Sequence, residues 1–285
     1  MGGNNFDWVD EWHCPVCKQA LEQNEAKLEC IHCRVVYPIL EHYPDFTPPS
    51  LSLAIKKKAQ AWSSVPYDYD GFIQKTSKRK LWVMDYWQIQ QCKPGDKVLE
   101  IGCGTARLEK SVVRRRAVYT GIDPSERLLQ QAYQKGSRRI VKGVGEYLPF
   151  ADQSFDVVIG GYCSFRYIQM KQVLGESYRV LKPGGILAFD LWSAWSLWMS
   201  GIMDGLKAII RMRKPPYLAT LGVKGCNDVK WPWGWIGLIR RVGFRVIAVK
   251  STKKEWFRVN RQGAPFWVGL VGALFGHDII FLCQK

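Results

Sequence analysis

No glycine-rich segment of this 285-residue chain ends in Gly-Lys-Ser/Thr. The backbone cradle that grips nucleotide phosphates beside a lysine is therefore absent. Nor is there an opening apolar leader, because Asp7, Asp10 and Glu11 interrupt the first residues, which argues against secretion. The start Met1-Gly-Gly-Asn-Asn-Phe6 lacks the Ser or Thr that an acylation signal carries at its sixth position. A membrane-spanning helix takes about 20 apolar residues; the best candidate, 191–211, is broken by Asp204 and Lys207. Internal repeats and low-complexity tracts are missing. Acidic residues are scarce, 25 Asp and Glu against 41 Lys and Arg, for a formal net charge of +16. What remains is room for one small module and one full α/β domain. The cytoplasm is the expected compartment, with membrane association as an added option.

Four ordered segments dominate what is there. Val98-Leu-Glu-Ile-Gly-Cys-Gly104 is a short apolar strand ending in an acid and a glycine turn. Val118-Tyr-Thr-Gly-Ile-Asp123 is a second strand closed by an acid. Residues 143–159 hold Gly-Val-Gly-Glu-Tyr-Leu-Pro-Phe and a strand, and residues 179–190 hold Arg-Val-Leu-Lys-Pro-Gly-Gly and another. Glycine lets a backbone approach a ligand and take angles other residues avoid. An acid about 20 residues beyond such a turn typically holds ribose hydroxyls, and Asp123 stands 23 residues after Glu100. The dinucleotide pattern G-x-G-x-x-G is the rival, but Arg107 occupies its last glycine position.

Together the four segments resemble the class I S-adenosylmethionine (SAM)-dependent methyltransferases. That resemblance implies a Rossmann-like seven-stranded sheet with helices on both faces, and SAM as the cofactor, leaving as S-adenosylhomocysteine (SAH). It implies Glu100 at the methionine amino group or ordering the glycine loop, with Gly102, Cys103 and Gly104 beside the methionine part. Asp123 would hold the ribose, with Pro124 and Ser125 near the adenine. Val144, Gly145 and Glu146 would reach the adenine edge, and Gly161 would line the cleft. The chain departs from the family pattern at 144–145, where relatives carry Asp-Ala: the side-chain acceptor for the adenine amino group is missing. Ala106 replaces the third glycine of the turn.

Cys14-Pro-Val-Cys17 is followed, after twelve residues, by Cys30-Ile-His-Cys33. Two such knuckles can place four thiolates around one structural Zn2+, the expected reading, with redox chemistry or an iron–sulfur cluster as the alternatives. The stretch 28–39, with Pro44-Asp-Phe46 after it, resembles the Trm112-like zinc-binding domain, relatives of which activate RNA and protein methyltransferases or are fused to methyltransferase domains. His13 and His32 read as neighbours of the ligands. The other cysteines, 92, 103, 163, 226 and 283, read as small buried residues.

The expected organisation is a zinc ribbon over 1–49 and a methyltransferase domain over 50–285, joined by a linker at 45–55. Cap helices lie within 50–96 and a substrate lid or interfacial insertion over 193–230. Strands are expected near 97–102, 118–123, 139–144, 154–160 and 186–192, with helices near 105–115, 125–135 and 169–181. A helix at 233–242, a strand at 244–251, a helix at 265–275 and a strand at 278–283 complete the alternation of a parallel sheet.

Charge separates the two parts. Residues 1–50 hold 3 Lys/Arg and 8 Asp/Glu, so the positive field lies in the larger domain. Such a field suits nucleic acid, an anionic membrane or an acidic substrate. Eight of the thirteen tryptophans fall at 192, 195, 198, 231, 233, 235, 256 and 267. Between 191 and 211, Ser193, Ser196, Ser200, Asp204, Lys207 and Arg211 form one polar stripe on an otherwise apolar helix, followed by a basic flank to Lys214. That is the pattern of an interfacial helix and equally of a lid packed on its own domain. Tyr162, Arg166, Tyr167 and His277 are candidate substrate-side groups, and no catalytic base is assigned. Lys214-Pro-Pro-Tyr217 lacks the leading acid or amide and the placement of the amino-group methyltransferase loop. The expected substrate is a hydrophobic small molecule or lipid-like acceptor, with peripheral membrane contact through 191–214. The alternatives are an RNA methyltransferase and a non-catalytic partner that has lost SAM turnover.

Overall fold

The computed structural model describes residues 6, 8, 11–24, 27–53, 55–57, 70–71, 83–160, 169–192, 232–251 and 278–285. Near the N-terminus β1 (Leu21–Asn24), β2 (Lys27–Cys30) and β3 (Val36–Pro38) form an antiparallel meander. It carries two near-identical knuckles. After each Cys-x-x-Cys the next residue, Lys18 (φ +66°) or Arg34 (φ +58°), takes a left-handed conformation. Its amide donates back to the first cysteine's carbonyl, at 2.8 and 2.9 Å.

After α1 (Val83–Ile89) come β4 (Lys97–Ile101), α2 (Glu109–Val113), β5 (Val118–Asp123), α3 (Glu126–Gln134), β6 (Ile140–Lys142), β7 (Phe155–Gly160), α4 (Met170–Val180) and β8 (Leu181–Trp192). Then follow α5 (Pro232–Val242), β9 (Arg245–Ser251) and β10 (Asp278–Gln284). The sheet order is β6-β5-β4-β7-β8-β10-β9, and β10 runs antiparallel to both its neighbours. The β4 to β8 strands are apolar along nearly their whole length because helices cover both faces. Strand order reverses between β4 and β7. In open α/β sheets such a switch point opens a crevice at the carboxyl ends of the strands.

The pattern of elements follows the sequence closely, with three differences. The helix expected over 105–115 is confined to Glu109–Val113, because Gly104 (φ +53°) and Ala106 (φ +52°) are left-handed and cannot be helical. The strand expected from 186 begins at Leu181, where Leu181 pairs with Phe155 and Ile186 with Val157 across an irregularity at Gly184 (φ +79°). The 45–55 segment is not a free connector. Phe46 N donates to the Lys142 carbonyl (2.7 Å) and Lys142 N to the Pro44 carbonyl (2.9 Å), so residues 44–46 extend the sheet alongside β6 and cover that edge. Phe46 and Leu51 are buried because they join the core. The helix expected at 265–275, the insertion at 193–230 and most of 56–82 lie outside the described residues.

The meander therefore shares the domain's core. Trp12 bridges Phe150, His13 N donates to the Pro149 carbonyl (3.0 Å), and Trp8, Trp12 and Phe46 pack in one cluster with Leu99 and Ile122. Ion pairs add to this contact: Glu11 with Lys97 (2.9 Å) and Arg139 (2.7 Å), Asp45 with Lys142 (2.9 Å), and Lys18 with Glu176 (2.6 Å).

Candidate cofactor crevice and metal centre

The glycine turn continues directly from β4. Gly102 (φ +74°) and Gly104 sit where a side chain would be strained. The Gly102 and Cys103 amides both donate to the Ile122 carbonyl, at 2.8 and 3.1 Å. Asp123, at the end of β5, is the hub of the crevice. Its Oδ2 accepts from Gly104 N (2.9 Å), its Oδ1 from Ser125 N (2.8 Å), and its carbonyl from Gly143 N (3.1 Å). One residue thus joins the glycine loop, the start of α3 and the 143–147 turn. A carboxylate oxygen has two lone-pair sites, so each still has capacity for a hydroxyl donor. Ser125 caps α3, accepting from Leu128 N (3.5 Å), and Pro124 beside it is half-buried.

Glu100 is 3% exposed and accepts from the Tyr119 hydroxyl at 2.6 Å. Burial pushes its carboxyl up to about 8, against the pull of the Tyr119 hydrogen bond and of Arg107. Burial likewise raises Asp123 to about 6, opposed by the Ser125 and Gly104 amides. Gly121 makes this packing fit: a Cβ there would lie 2.8 Å from Cys103 Sγ and 3.0 Å from Tyr119 Oη.

In the 143–147 turn, Val144 is buried against Leu51 and Ile55, with Tyr147 alongside. The wall is apolar where the family's carboxylate acceptor would stand. Gly145 has no room for a side chain, since a Cβ would meet Ile101 Cγ2 at 2.8 Å. Glu146 is buried, and its Oε1 accepts from Gln169 N (2.9 Å) at the start of α4, where a negative charge is favoured. Gly161, Tyr162, Arg166, Tyr167 and His277 lie outside the described residues.

The sequence reading did not single out five residues that complete the crevice. Tyr119 is the partner of Glu100. Arg107 makes a bidentate pair with Asp85 of α1, at 2.6 and 3.0 Å. Gln88 Nε2 donates to the Gly160 carbonyl (2.9 Å) and to Asp190 Oδ1 (3.3 Å), and both side chains are fully buried. Arg107 in place of a glycine was the one visible signal. The other four are charged or polar letters inside otherwise apolar elements. Asp85, Glu100, Asp123 and Asp190 are all buried, and burial holds Glu100 toward its neutral form near pH 7.

At the other centre, the Sγ atoms of Cys14, Cys17, Cys30 and Cys33 lie within 4.8 Å of one another. Cys14 and Cys33 are 3.5 Å apart, and Cys17 and Cys30 3.3 Å. A tetrahedral Zn2+ with bonds of about 2.3 Å needs sulfurs roughly 3.8 Å apart, so the donor set fits that ion. The Tyr37 hydroxyl lies 3.3 Å from Cys14 Sγ. Burial raises the Cys14 thiol, but Tyr37 and backbone amides outweigh it and bring it to about 7. His32 is exposed. Cys92, Cys103 and Cys283 are buried as expected, and Cys163 and Cys226 lie outside the described residues.

Comparison with known proteins places this geometry. Residues 99–189 match the family model described as "Methyltransferase domain". A demethylmenaquinone methyltransferase of Tropheryma whipplei is 36% identical over 113 residues, covering 36% of this chain and 46% of that protein. A phthiotriol/phenolphthiotriol dimycocerosates methyltransferase of Mycobacterium leprae is 38% identical over 100 residues, covering 33% and 37%. The chain thus spans less than half the length of these two relatives. Among solved structures, a SAM-dependent methyltransferase of Thermotoga maritima, titled a possible histamine N-methyltransferase, superposes with a TM-score of 0.55. It is 20% identical and covers 80% of this chain and 99% of that one. A chain from the complex of the Haloferax volcanii Trm112 methyltransferase activator and a putative methyltransferase gives 0.55 at 16% identity, covering 81% and 96%. Sheet order, glycine turn, Asp123 hub and family match agree: the chain carries a methyltransferase domain with the class I SAM-dependent fold.

Proposed function

We propose that this chain transfers the sulfonium methyl group of SAM to a hydrophobic small-molecule or lipid-like acceptor, with a structural Zn2+ on Cys14, Cys17, Cys30 and Cys33. The observation that carries the reading is the crevice at the β4/β7 switch point, built from the glycine turn, Glu100 and Asp123. SAM supplies an activated methyl on a positively charged sulfur. Glu100, buried beside the glycine turn, is the acceptor for the ligand's ammonium. Asp123 offers free lone pairs for ribose hydroxyls. Val144, Leu51 and Ile55 offer an apolar wall for a flat base, and the Gly145 N–H offers a donor to a ring nitrogen, with no side-chain acceptor for the base's amino group. Methyl transfer from so good a leaving group is chiefly a matter of alignment, and no general base is assigned. The proposed limits remain a zinc module over 1–49 and a catalytic domain over 50–285, with 193–230 as lid or interfacial insertion.

The acceptor class rests on two supports. The relatives' names include a quinone precursor and a mycobacterial lipid. The Trp-rich 191–214 segment leaves β8 at its carboxyl end, the side on which the crevice opens. We propose it as the peripheral membrane contact. No helix among the described residues is long and apolar enough to cross a membrane. RNA is the less favoured acceptor, because Lys97, Arg139 and Lys142 are engaged by the acids of the meander and phosphate binding needs such cations free.

The test is methyl-labelled SAM with a cell extract split into lipid, RNA, protein and small-molecule fractions. Label in the organic phase, lost in Asp123→Ala, is the expected result. Label in RNA would replace the acceptor assignment. SAH binding without label in any fraction would leave a cofactor-binding protein that does not methylate.

A further inference from the structure

We infer that α1 is a clamp spanning the two walls of the cofactor crevice, with Arg107 and Gln88 as its positioning contacts. The inference rests on the SAM reading above and adds residues that the family's glycine turn and ribose acid do not include. Asp85 and Gln88 are three positions apart and therefore share one face of the helix. Asp85 binds the glycine loop through both guanidinium nitrogens of Arg107. Gln88 binds the last carbonyl of β7 at Gly160, and Asp190 near the end of β8. The glycine loop follows β4. One short helix is thus bolted to both strands that flank the switch point.

The chemistry of these contacts suits positioning. A bidentate arginine–carboxylate pair fixes orientation as well as distance. Asp85 is fully buried and the Arg107 side chain is 15% exposed, so solvent does not substitute for either partner. A second carboxylate repeats the arrangement: Thr105 Oγ1 donates to Asp70 Oδ1 at 2.7 Å, and Lys135 pairs with the same Asp70. Both polar side chains of the turn, Thr105 and Arg107, are therefore held by acids from the segment N-terminal to β4. Arg107 also reaches Glu100 electrostatically, so the clamp bears on the group expected at the methionine end. If the clamp sets the crevice, a ligand that bridges the glycine loop and the β7 end tightens α1, and a loosened α1 weakens that ligand.

The experiment uses the full chain, SAH as the probe, calorimetry well below the melting temperature, and hydrogen exchange of 83–89 with and without SAH. Arg107→Lys keeps the charge but not the planar fork; Asp85→Asn keeps the shape. Each is expected to weaken SAH at least about tenfold, the scale of one charge-assisted hydrogen bond, and to abolish the SAH-induced protection of 83–89. Gln88→Met, which removes the Gly160 contact at similar volume, is expected to do the same and carries the test should Arg107→Lys not fold. Glu11→Ala, which breaks ion pairs at the far ends of the strands, should lower the melting temperature and leave the SAH Kd within twofold. Affinity and protection unchanged in Arg107→Lys, Asp85→Asn and Gln88→Met would overturn the clamp while leaving the cofactor site standing. Wild-type protein that fails to bind SAH would overturn the cofactor reading and the clamp with it.

Discussion

The N-terminal meander and the seven-stranded domain build their sites in opposite ways. The meander gathers four thiols from two turns of the same design, each closed by a left-handed residue. The crevice gathers Asp85, Glu100, Asp123 and Asp190 from α1, β4, β5 and β8, more than a hundred residues apart. The first site is proposed to close around one Zn2+. At the second, Arg107 binds Asp85 through two hydrogen bonds, Tyr119 donates to Glu100, and backbone amides hold Asp123. The two regions also differ in sign, with residues 1–50 acidic in a chain of net +16. That difference is spent internally, because Glu11 and Asp45 hold Lys97, Arg139 and Lys142.

The comparison breaks most visibly at the metal. Cys30→Ser, or stripping with a chelator, should unseat the meander and expose the β6 edge. Structural zinc contributes about 10 kcal/mol or more in small domains, so a melting temperature lower by more than about 10 °C is expected by scanning fluorimetry, alongside a loss of one bound Zn2+ per chain. Asp123→Ala comes next. It leaves the Gly104 and Ser125 amides without their acceptor as well as removing the ribose partner. SAH affinity should fall on the order of 100-fold in calorimetry.

Glu100 gives the crevice a pH signature of its own. Its folded carboxyl is raised from 4.5 to about 8, so between those values the folded chain keeps a proton the unfolded chain has released. Stability from this group therefore falls as pH rises through that window. The ammonium of SAH beside Glu100 favours its ionised form, so SAH affinity should rise with pH over the same range, with proton release on binding. Glu100→Gln should flatten both trends; denaturant melts and calorimetry in buffers of different ionisation heat check them. The smallest effect belongs to Ala106, held at φ +52°. A non-glycine residue in that region costs about 1–2 kcal/mol, so Ala106→Gly should raise stability by up to about 1 kcal/mol with little change in SAH affinity.

The two regions were also unequally legible. Cys-x-x-Cys spacing is local, and so are the buried parallel strands, which read as continuous apolar runs ending in Glu100-Ile-Gly and Ile-Asp123. These local patterns located the sheet and brought Glu100, Gly102, Gly104 and Asp123 to one crevice. Long-range partners left no such trace. Arg107 and Asp85 lie 22 residues apart with no periodicity to link them, and Tyr119 looks like any strand aromatic until Gly121 clears space for its hydroxyl. The helix after the glycine turn starts late because Ala106 is left-handed, which its letter does not announce. Pro48 and Pro49 made 45–55 read as a connector, although Phe46 and Leu51 on either side are the residues that dock it.

The most direct test of the account is calorimetric titration of the full chain with SAH, wild type beside Asp123→Ala. The account predicts one site per chain for the wild type, tightening as pH rises toward 8 and severely weakened in the variant. Absence of binding, or equal binding by the two proteins, would contradict the placement of the cofactor at the β4/β7 crevice.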